Sequence, residues 1–457
     1  MMRKILVIGA GKSTSYLLDY LLGKAEVEKL EITIGDINPQ AIPEQIASHK
    51  HCSVIALDIF NDAERKKAIA NSDVVISMLP ARFHIKVAED CVVLKKHLVT
   101  ASYVSPELLA LDKKVKENGL VFMNEIGLDP GVDHMSAMQV IDRIRDKGGK
   151  VILFESFCGG LVAPENDNNL WNYKFTWNPR NVVLAGQGGT AQFLQEGTYK
   201  YIPYHRLFRR TEFFKIEGYG RFEGYANRDS LGYREAYGLQ DALTIYRGTM
   251  RRVGFSKAWN MFIQLGVTDD TYTIENSEKM SYREFINLYL PYSPTDSVEL
   301  KLRHNLKLDQ DDIRWDKLLE LNIFDDTKYI NIPNATPAQA LQRILEDSWT
   351  LKADEKDMIV MYHKFGYELN GEKKQIDSKL VVTGENQTYT AMSKTVGLPV
   401  AMAALKILNG KITTPGVQIP ILKEVYEPIL EELKSYGINF KEYEVPYLGY
   451  NQHSVIS

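Results

Sequence analysis

The amino-acid sequence predicts an α/β fold built on a doubly wound parallel sheet, and three observations carry that prediction. Short apolar runs alternate with helical patterns through residues 1–125. The first run ends in a glycine-rich turn that leads straight into a helix. An acidic residue closes the second run.

The elements follow in order. Ile5 to Ile8 is a short continuous apolar run, as a strand covered on both faces requires. It leads into "GAGKSTS" (9–15), where two phosphate-binding patterns compete. A P-loop ending in Gly11-Lys12-Ser13 would need a glycine where Leu6 stands, inside the strand. The Rossmann pattern fits instead. Gly9 serves the tight turn, and Gly11 lets the backbone approach a pyrophosphate at the helix N-terminus. Lys12 is expected to lean on that phosphate, and the Ser13 and Thr14 hydroxyls are expected as further donors. Thr14 occupies the third small position of the fingerprint, so the match is degenerate. Tyr16, Leu17, Tyr20 and Leu21 share one face of the helix.

Further strands read at 30–34, 53–57, 74–79, 98–103 and 120–123, with helices at 62–70 and 84–94 between them. Asp36 closes the second strand about 20 residues past the glycines, where an acid accepts from an adenosine ribose 2′-OH and repels a 2′-phosphate. No arginine or lysine follows within Ile37-Asn38-Pro39-Gln40, so NAD is expected ahead of NADP.

After residue 125 the character changes. Asp129-Pro130-Gly131 forces a turn, and Asp133 is expected to cap a helix beginning near His134. An apolar run from Val151 ends in Cys158-Gly159-Gly160. Residues 240–350, including "DALTIYRGTMRRVGFSKAWNMF" (241–262), read as mainly helical. A hairpin is expected over 357–369 and 379–386, then a helix starting near Pro399 and another at 421–435. The expected organisation is a Rossmann domain (1–125), an α/β substrate and dimerisation domain (126–238 with 356–396), a helical insert (239–355) and a C-terminal segment (397–457) returning to the first domain.

Bulk properties exclude several classes. A formal charge of −4 gives no electrostatic footprint for nucleic acid. Three scattered cysteines suit a reducing cytoplasm, and "HKHC" (49–52) lacks a second ligand pair, so no metal is expected. The N-terminal apolar run is too short for a signal segment, and no stretch approaches a membrane span.

Seven ordered blocks then point to a family: "ASYVSP" (101–106), "NEIGLDPGVDH" (124–134), "FCGGLVAPE" (157–165), "YKFTW" (173–177), "YANRDS" (225–230), "RGTMR" (247–251) and "TVGLPVAMAALKILNGKI" (395–412). Together they resemble saccharopine dehydrogenase of the glutamate-forming type, the saccharopine reductase family. The resemblance implies nicotinamide-linked oxidation of the secondary amine of saccharopine to an imine. Hydrolysis then gives L-glutamate and 2-aminoadipate 6-semialdehyde, or the sequence runs in reverse. It also implies a homodimer through the sheet of the second domain. By the same resemblance, Ser102, Tyr103, Asp129, Arg228, Arg247, Gly248 and Thr249 meet the substrate, with Tyr103 and Asp129 catalytic. The loops at Asp58, Ile59, Leu79, Ala101, Leu128 and Gly131 complete the cofactor contacts.

Chemistry supports the arginines, because saccharopine carries three carboxylates and a guanidinium grips a carboxylate with two parallel bonds. Asp129, Tyr103, His134 and Lys174 all stand as candidate bases, with His134 read rather as a structural residue and Cys158 as a packed one. The glycine loop and Asp36 depart from NADP-linked members, which carry an arginine for the 2′-phosphate. NAD therefore remains the expected cofactor, NADP the second choice, and the oxidative, catabolic direction the expected one. Two other readings stay open: a related amino-acid or polyamine dehydrogenase, and a non-catalytic NAD(H) sensor.

Overall fold

The apolar runs become β1 (Arg3–Ile8), β2 (Leu30–Asp36), β3 (Cys52–Ala56), β4 (Val74–Ser77), β5 (His97–Val99) and β6 (Val121–Met123) in the computed structural model, which describes residues 2–449. With a further strand, Gly416–Gln418, they form one parallel sheet in the order Gly416–Gln418, β6, β5, β4, β1, β2, β3. The order reverses between β1 and β4, the switch point at which such sheets bind dinucleotides. Leu6, Ile8, Val75, Leu98 and Phe122 pack with Val87 of the helix His84–Leu94 on one face, and Ile5, Val7, Val74 and Ile76, which alternate to the other, are buried as well, so both faces are covered as the continuous apolar runs demand.

β4 and β5 stop sooner than the sequence suggests. Thr100 N still donates to Met123 O at 2.9 Å, but Ser102 N donates to the Thr100 hydroxyl at 3.3 Å. That local side-chain bond competes with the ladder and turns Ala101–Tyr103 into a loop at the carboxyl end of the sheet.

The chain divides into two units, Met1–Gly149 with Leu380–Lys441 and Lys150–Lys379 with Glu442–Ser457. The boundary expected at 125 therefore lies beyond the helix Val132–Asp146. Asp133 does not cap that helix from outside; Gly131 is the N-cap, and the Asp133 carboxylate, in the first turn, accepts from Gly131 N at 2.6 Å. The helix expected near Pro399 starts much earlier and spans Ala391–Leu408. Thr390 caps it by accepting from Ser393 N at 2.9 Å, and burial of nearly every side chain offsets the donor that Pro399 lacks. This helix is long and apolar enough to cross a membrane by length and composition, contrary to the expectation from sequence, yet most of it is buried. A Cβ at Gly397 would stand 2.9 Å from Leu17 N, so the helix seats directly on the start of Ser15–Lys24.

The second unit holds β7 (Lys150–Val162), β8 (Ala191–Gln195), β9 (Thr198–Ile202), β10 (Glu212–Ile216), β11 (Gly220–Ala226), β12 (Thr244–Arg252), β13 (Asp357–Leu369) and β14 (Glu372–Thr383). Its mixed sheet runs β10, β11, β12, β7, β13, β14 and the strand Lys441–Pro446, with β8 on β12 and β9 on β8. β7 does not end at its glycines: a Cβ at Gly159 would stand 2.4 Å from Met250 O, so close approach is what selects glycine there. β12 corrects the helical reading of 240–252. It is a central strand, parallel to β7 and antiparallel to β11, and the helix begins only at Phe255. The helices Tyr282–Asn287, Val298–Leu306, Ile313–Glu320 and Pro337–Trp349 cluster with this unit instead of forming a third one. The C-terminal segment stays with the first unit only to Lys441, and its residues 450–457 lie outside the described residues.

Candidate active site

In the first unit the site is built on the carboxyl ends of β1, β2, β5 and β6. Gly9 has φ +91°, and a Cβ there would stand 3.2 Å from Met78 O, so glycine is required by turn and packing alike. At Gly11 a Cβ would meet no protein atom within 4 Å, so packing does not require this glycine and the loop backbone is open to a ligand's approach. The helix Ser15–Lys24 has no side-chain cap on its first amides, which suits an anion at its N-terminus. Lys12 is exposed and Ser13 half-buried beside it. Thr14 is not the outward donor the sequence suggested: it is buried and its hydroxyl donates to Gly11 O at 2.7 Å, which shapes the loop instead. Asp36 accepts from Ala10 N and from Asn38 N, each at 2.8 Å. Its carboxylate is thereby pinned against the glycine loop. These residues fit a dinucleotide.

The remaining cofactor candidates divide by burial. Asp58 is exposed and accepts from Phe60 N at 2.9 Å, whereas Ile59 lies in the apolar core with Leu79 packed against it. Leu128 is buried, and Ala101 lies 3.0 Å from where a Gly127 Cβ would be. Gly131 has φ +146°, and a Cβ there would fall 2.1 Å from Gly127 O. The turn that carries Asp129, with its cis Asp129–Pro130 bond, closes through Gly127 N donating to Pro130 O at 2.9 Å.

Tyr103 and Asp129 meet on this unit. The Tyr103 phenol, 45% exposed, donates to Asp129 Oδ1 at 3.4 Å. The other two base candidates are buried in pairs. His134 Nε2 lies 2.9 Å from Glu125 Oε2, and Lys174 in the second unit is held against Glu355.

The second unit gathers the predicted arginines on one edge of β12. Asn227 N donates to Arg247 O at 2.8 Å and Arg247 N to Ser230 Oγ at 2.9 Å, which anchors the loop carrying Arg228 to the strand. Arg228 is exposed and has no ion pair among the described residues, so the surface bridges to Asp229 or Glu235 do not form. Arg247 is buried with its guanidinium 4.2 Å from the Tyr233 ring centroid. Gly248 is fixed by packing, since a Cβ would stand 2.3 Å from the Phe157 ring. Thr249 is half-buried opposite Cys158 and Tyr225.

Two residues escaped the sequence reading. Arg251 follows Arg247 and Thr249 on the same strand face, is 5% exposed, and has no carboxylate partner among the described residues. Its guanidinium lies 5.0 Å from the Tyr173 ring centroid and 5.4 Å from that of Phe255, Nη1 donates to Met250 O at 2.9 Å, and Nε has no partner. The alternation of "RGTMR" was the available signal, obscured by reading a helix. The second is His84, buried against Ser77 and Ser102.

Comparison with known proteins places this geometry. Residues 5–123 match the family model described as saccharopine dehydrogenase NADP binding domain, and residues 127–438 match the saccharopine dehydrogenase C-terminal domain. The chain is 34% identical to the NADP(+), L-glutamate-forming saccharopine dehydrogenase of Saccharomyces cerevisiae, covering 96% of this chain and 99% of that protein. It is 36% identical to the mitochondrial alpha-aminoadipic semialdehyde synthase of Rattus norvegicus, of which it spans 47%. The apo structure of the yeast L-glutamate-forming enzyme superposes with TM-score 0.86 at 32% identity, covering 97% of this chain and all of that one.

Proposed function

The chain belongs to the saccharopine dehydrogenase family, and from that premise we propose that it interconverts saccharopine with L-glutamate and 2-aminoadipate 6-semialdehyde. It is an oxidoreductase of the CH–NH group that uses a nicotinamide dinucleotide. The observation that carries the substrate is Arg251. A guanidinium stays charged in any protein, and burying it without a counter-charge is costly unless a ligand supplies one. A substrate with three carboxylates does so, with Arg247 and Arg228 to hold the others.

A dinucleotide held by the Gly9–Thr14 loop and Asp36 would supply the hydride acceptor for the carbon that bears the secondary amine. Asp129 takes the amine proton first, and Tyr103 orients that carboxylate by donating to it. Once that proton has passed to solvent, the restored carboxylate activates the water that attacks the imine. His134 and Lys174 take no part, being committed to Glu125 and Glu355. The homodimer and the cytoplasmic location expected above stand as part of this proposal.

NAD in the oxidative direction is the finer part of the proposal, and it runs against the NADP(+) of the dehydrogenase relatives' names. Its support is the Asp36 carboxylate, fixed at the glycine loop, where a 2′-phosphate would bring about two further negative charges. Turnover of L-saccharopine should be faster with NAD than with NADP. Asp36→Ala should narrow the ratio by about tenfold, the worth of roughly 1.4 kcal/mol. Turnover with NADP alone would contradict the NAD assignment and leave the reaction standing.

A further inference from the structure

Outside the assigned residues, the first unit carries an imidazole that ties the carboxyl ends of β4 and β5 together. His84, which starts the helix His84–Leu94, is 1% exposed. Its Nδ1 lies 2.8 Å from the hydroxyl of Ser77, the last residue of β4. Its Nε2 lies 2.7 Å from Ser102 Oγ and 3.2 Å from Thr100 Oγ1, both in the loop after β5. The Ser102 backbone is held as well, its carbonyl accepting from Glu125 N at 3.0 Å.

The direction of these bonds follows from the tautomer of the ring. A neutral imidazole offers one N–H and one lone pair. Two hydroxyls with hydrogens to donate face Nε2, and one hydroxyl faces Nδ1. One tautomer satisfies all three with Nδ1–H donating to Ser77 and Nε2 accepting from Ser102 and Thr100; the other reverses each bond, and the 15N spectrum below tells them apart. Burial keeps the ring neutral by pushing its pKa down to about 4. In the first tautomer the Ser102 hydrogen turns toward His84, and its oxygen presents lone pairs to any ligand beside it.

We propose that His84 is a positioning residue that fixes Ser102 as a hydrogen-bond acceptor for the N–H of the substrate's secondary amine. Holding that N–H fixes the direction of the nitrogen lone pair, which must align with the C–H bond that breaks. The proposal rests on Ser102 being a substrate contact. The carboxamide of the cofactor offers the same N–H chemistry, so the test separates the two.

Two amide variants probe the two ring nitrogens. His84→Gln places an amide near Nε2 and can still meet Ser102, whereas His84→Asn reaches only toward Ser77. Steady-state kinetics with L-saccharopine, NADH fluorescence titration and thermal melting would be measured on both, alongside Ser102→Ala. His84→Asn should lower kcat about tenfold or more, with KM for saccharopine and NADH affinity nearly unchanged, and His84→Gln should recover most of the loss. In the full-length protein the imidazole 15N spectrum should show a neutral Nδ1–H ring whose Nε2 resonance moves in Ser102→Ala. Equal losses in both His84 variants that follow their melting temperatures would overturn the proposal. So would a fall in NADH affinity in place of kcat, which would assign the acceptor to the carboxamide. Full activity in Ser102→Ala would remove the reading of Ser102 itself, and loss there with none in His84→Asn would remove His84 alone.

Discussion

Replacing Arg251 by methionine should lower kcat/KM for saccharopine at least 100-fold while leaving the melting temperature unchanged or higher, the loss corresponding to about 3 kcal/mol of binding. The two effects have one cause. The guanidinium is buried against Tyr173, Tyr225 and Phe255 with no carboxylate among the described residues, so the free protein bears its desolvation without a counter-charge. Methionine fills similar volume and ends that penalty, but removes the fork that meets a substrate carboxylate. Arg251→Lys should recover only part of the activity, since an ammonium is a point charge that cannot grip two oxygens in plane. Kinetics and thermal melts on the same preparations check both halves. Wild-type kcat/KM in the methionine variant would place the carboxylate clamp elsewhere.

Gly131→Ala should destabilise the protein by about 3 kcal/mol or more and abolish turnover with it. The added methyl would overlap Gly127 O, and the backbone lies at a positive φ that alanine resists. Val132 N donates to that same Gly127 carbonyl at 2.9 Å, so the turn has no slack to give. Gly11→Ala is the matched contrast: nothing lies within 4 Å of the new methyl, so the fold should hold while dinucleotide affinity falls. Urea unfolding and NADH titration distinguish them. Similar stability losses in the two variants would contradict the roles given to these glycines.

What the sequence made legible follows from local physics. The run Ile5–Ile8 and the turn at Gly9 could be read because a doubly covered strand is apolar throughout and the turn needs glycine. The last strand residues were misread where a side chain competes with the ladder, as Thr100 does. β12 was misread because the face that bears Arg247 and Arg251 is buried, against the ordinary rule that charged positions mark solvent. Arg251 gains its surroundings from Tyr173 and Tyr225, distant in sequence, so nothing local announces its burial. His84 read as the first residue of a helix, since Ser77, Thr100 and Ser102 converge on it only once β4 and β5 lie side by side. Domain limits blurred because the chain leaves the first unit after Gly149 and re-enters it at Leu380 without a linker of distinctive composition.

The most direct test of the whole account is to incubate the purified protein with L-saccharopine and NAD, and to measure reduced nicotinamide and released L-glutamate together. The account predicts one glutamate for each nicotinamide reduced, with both lost in Arg251→Met. Clear NADH binding without either product would contradict it.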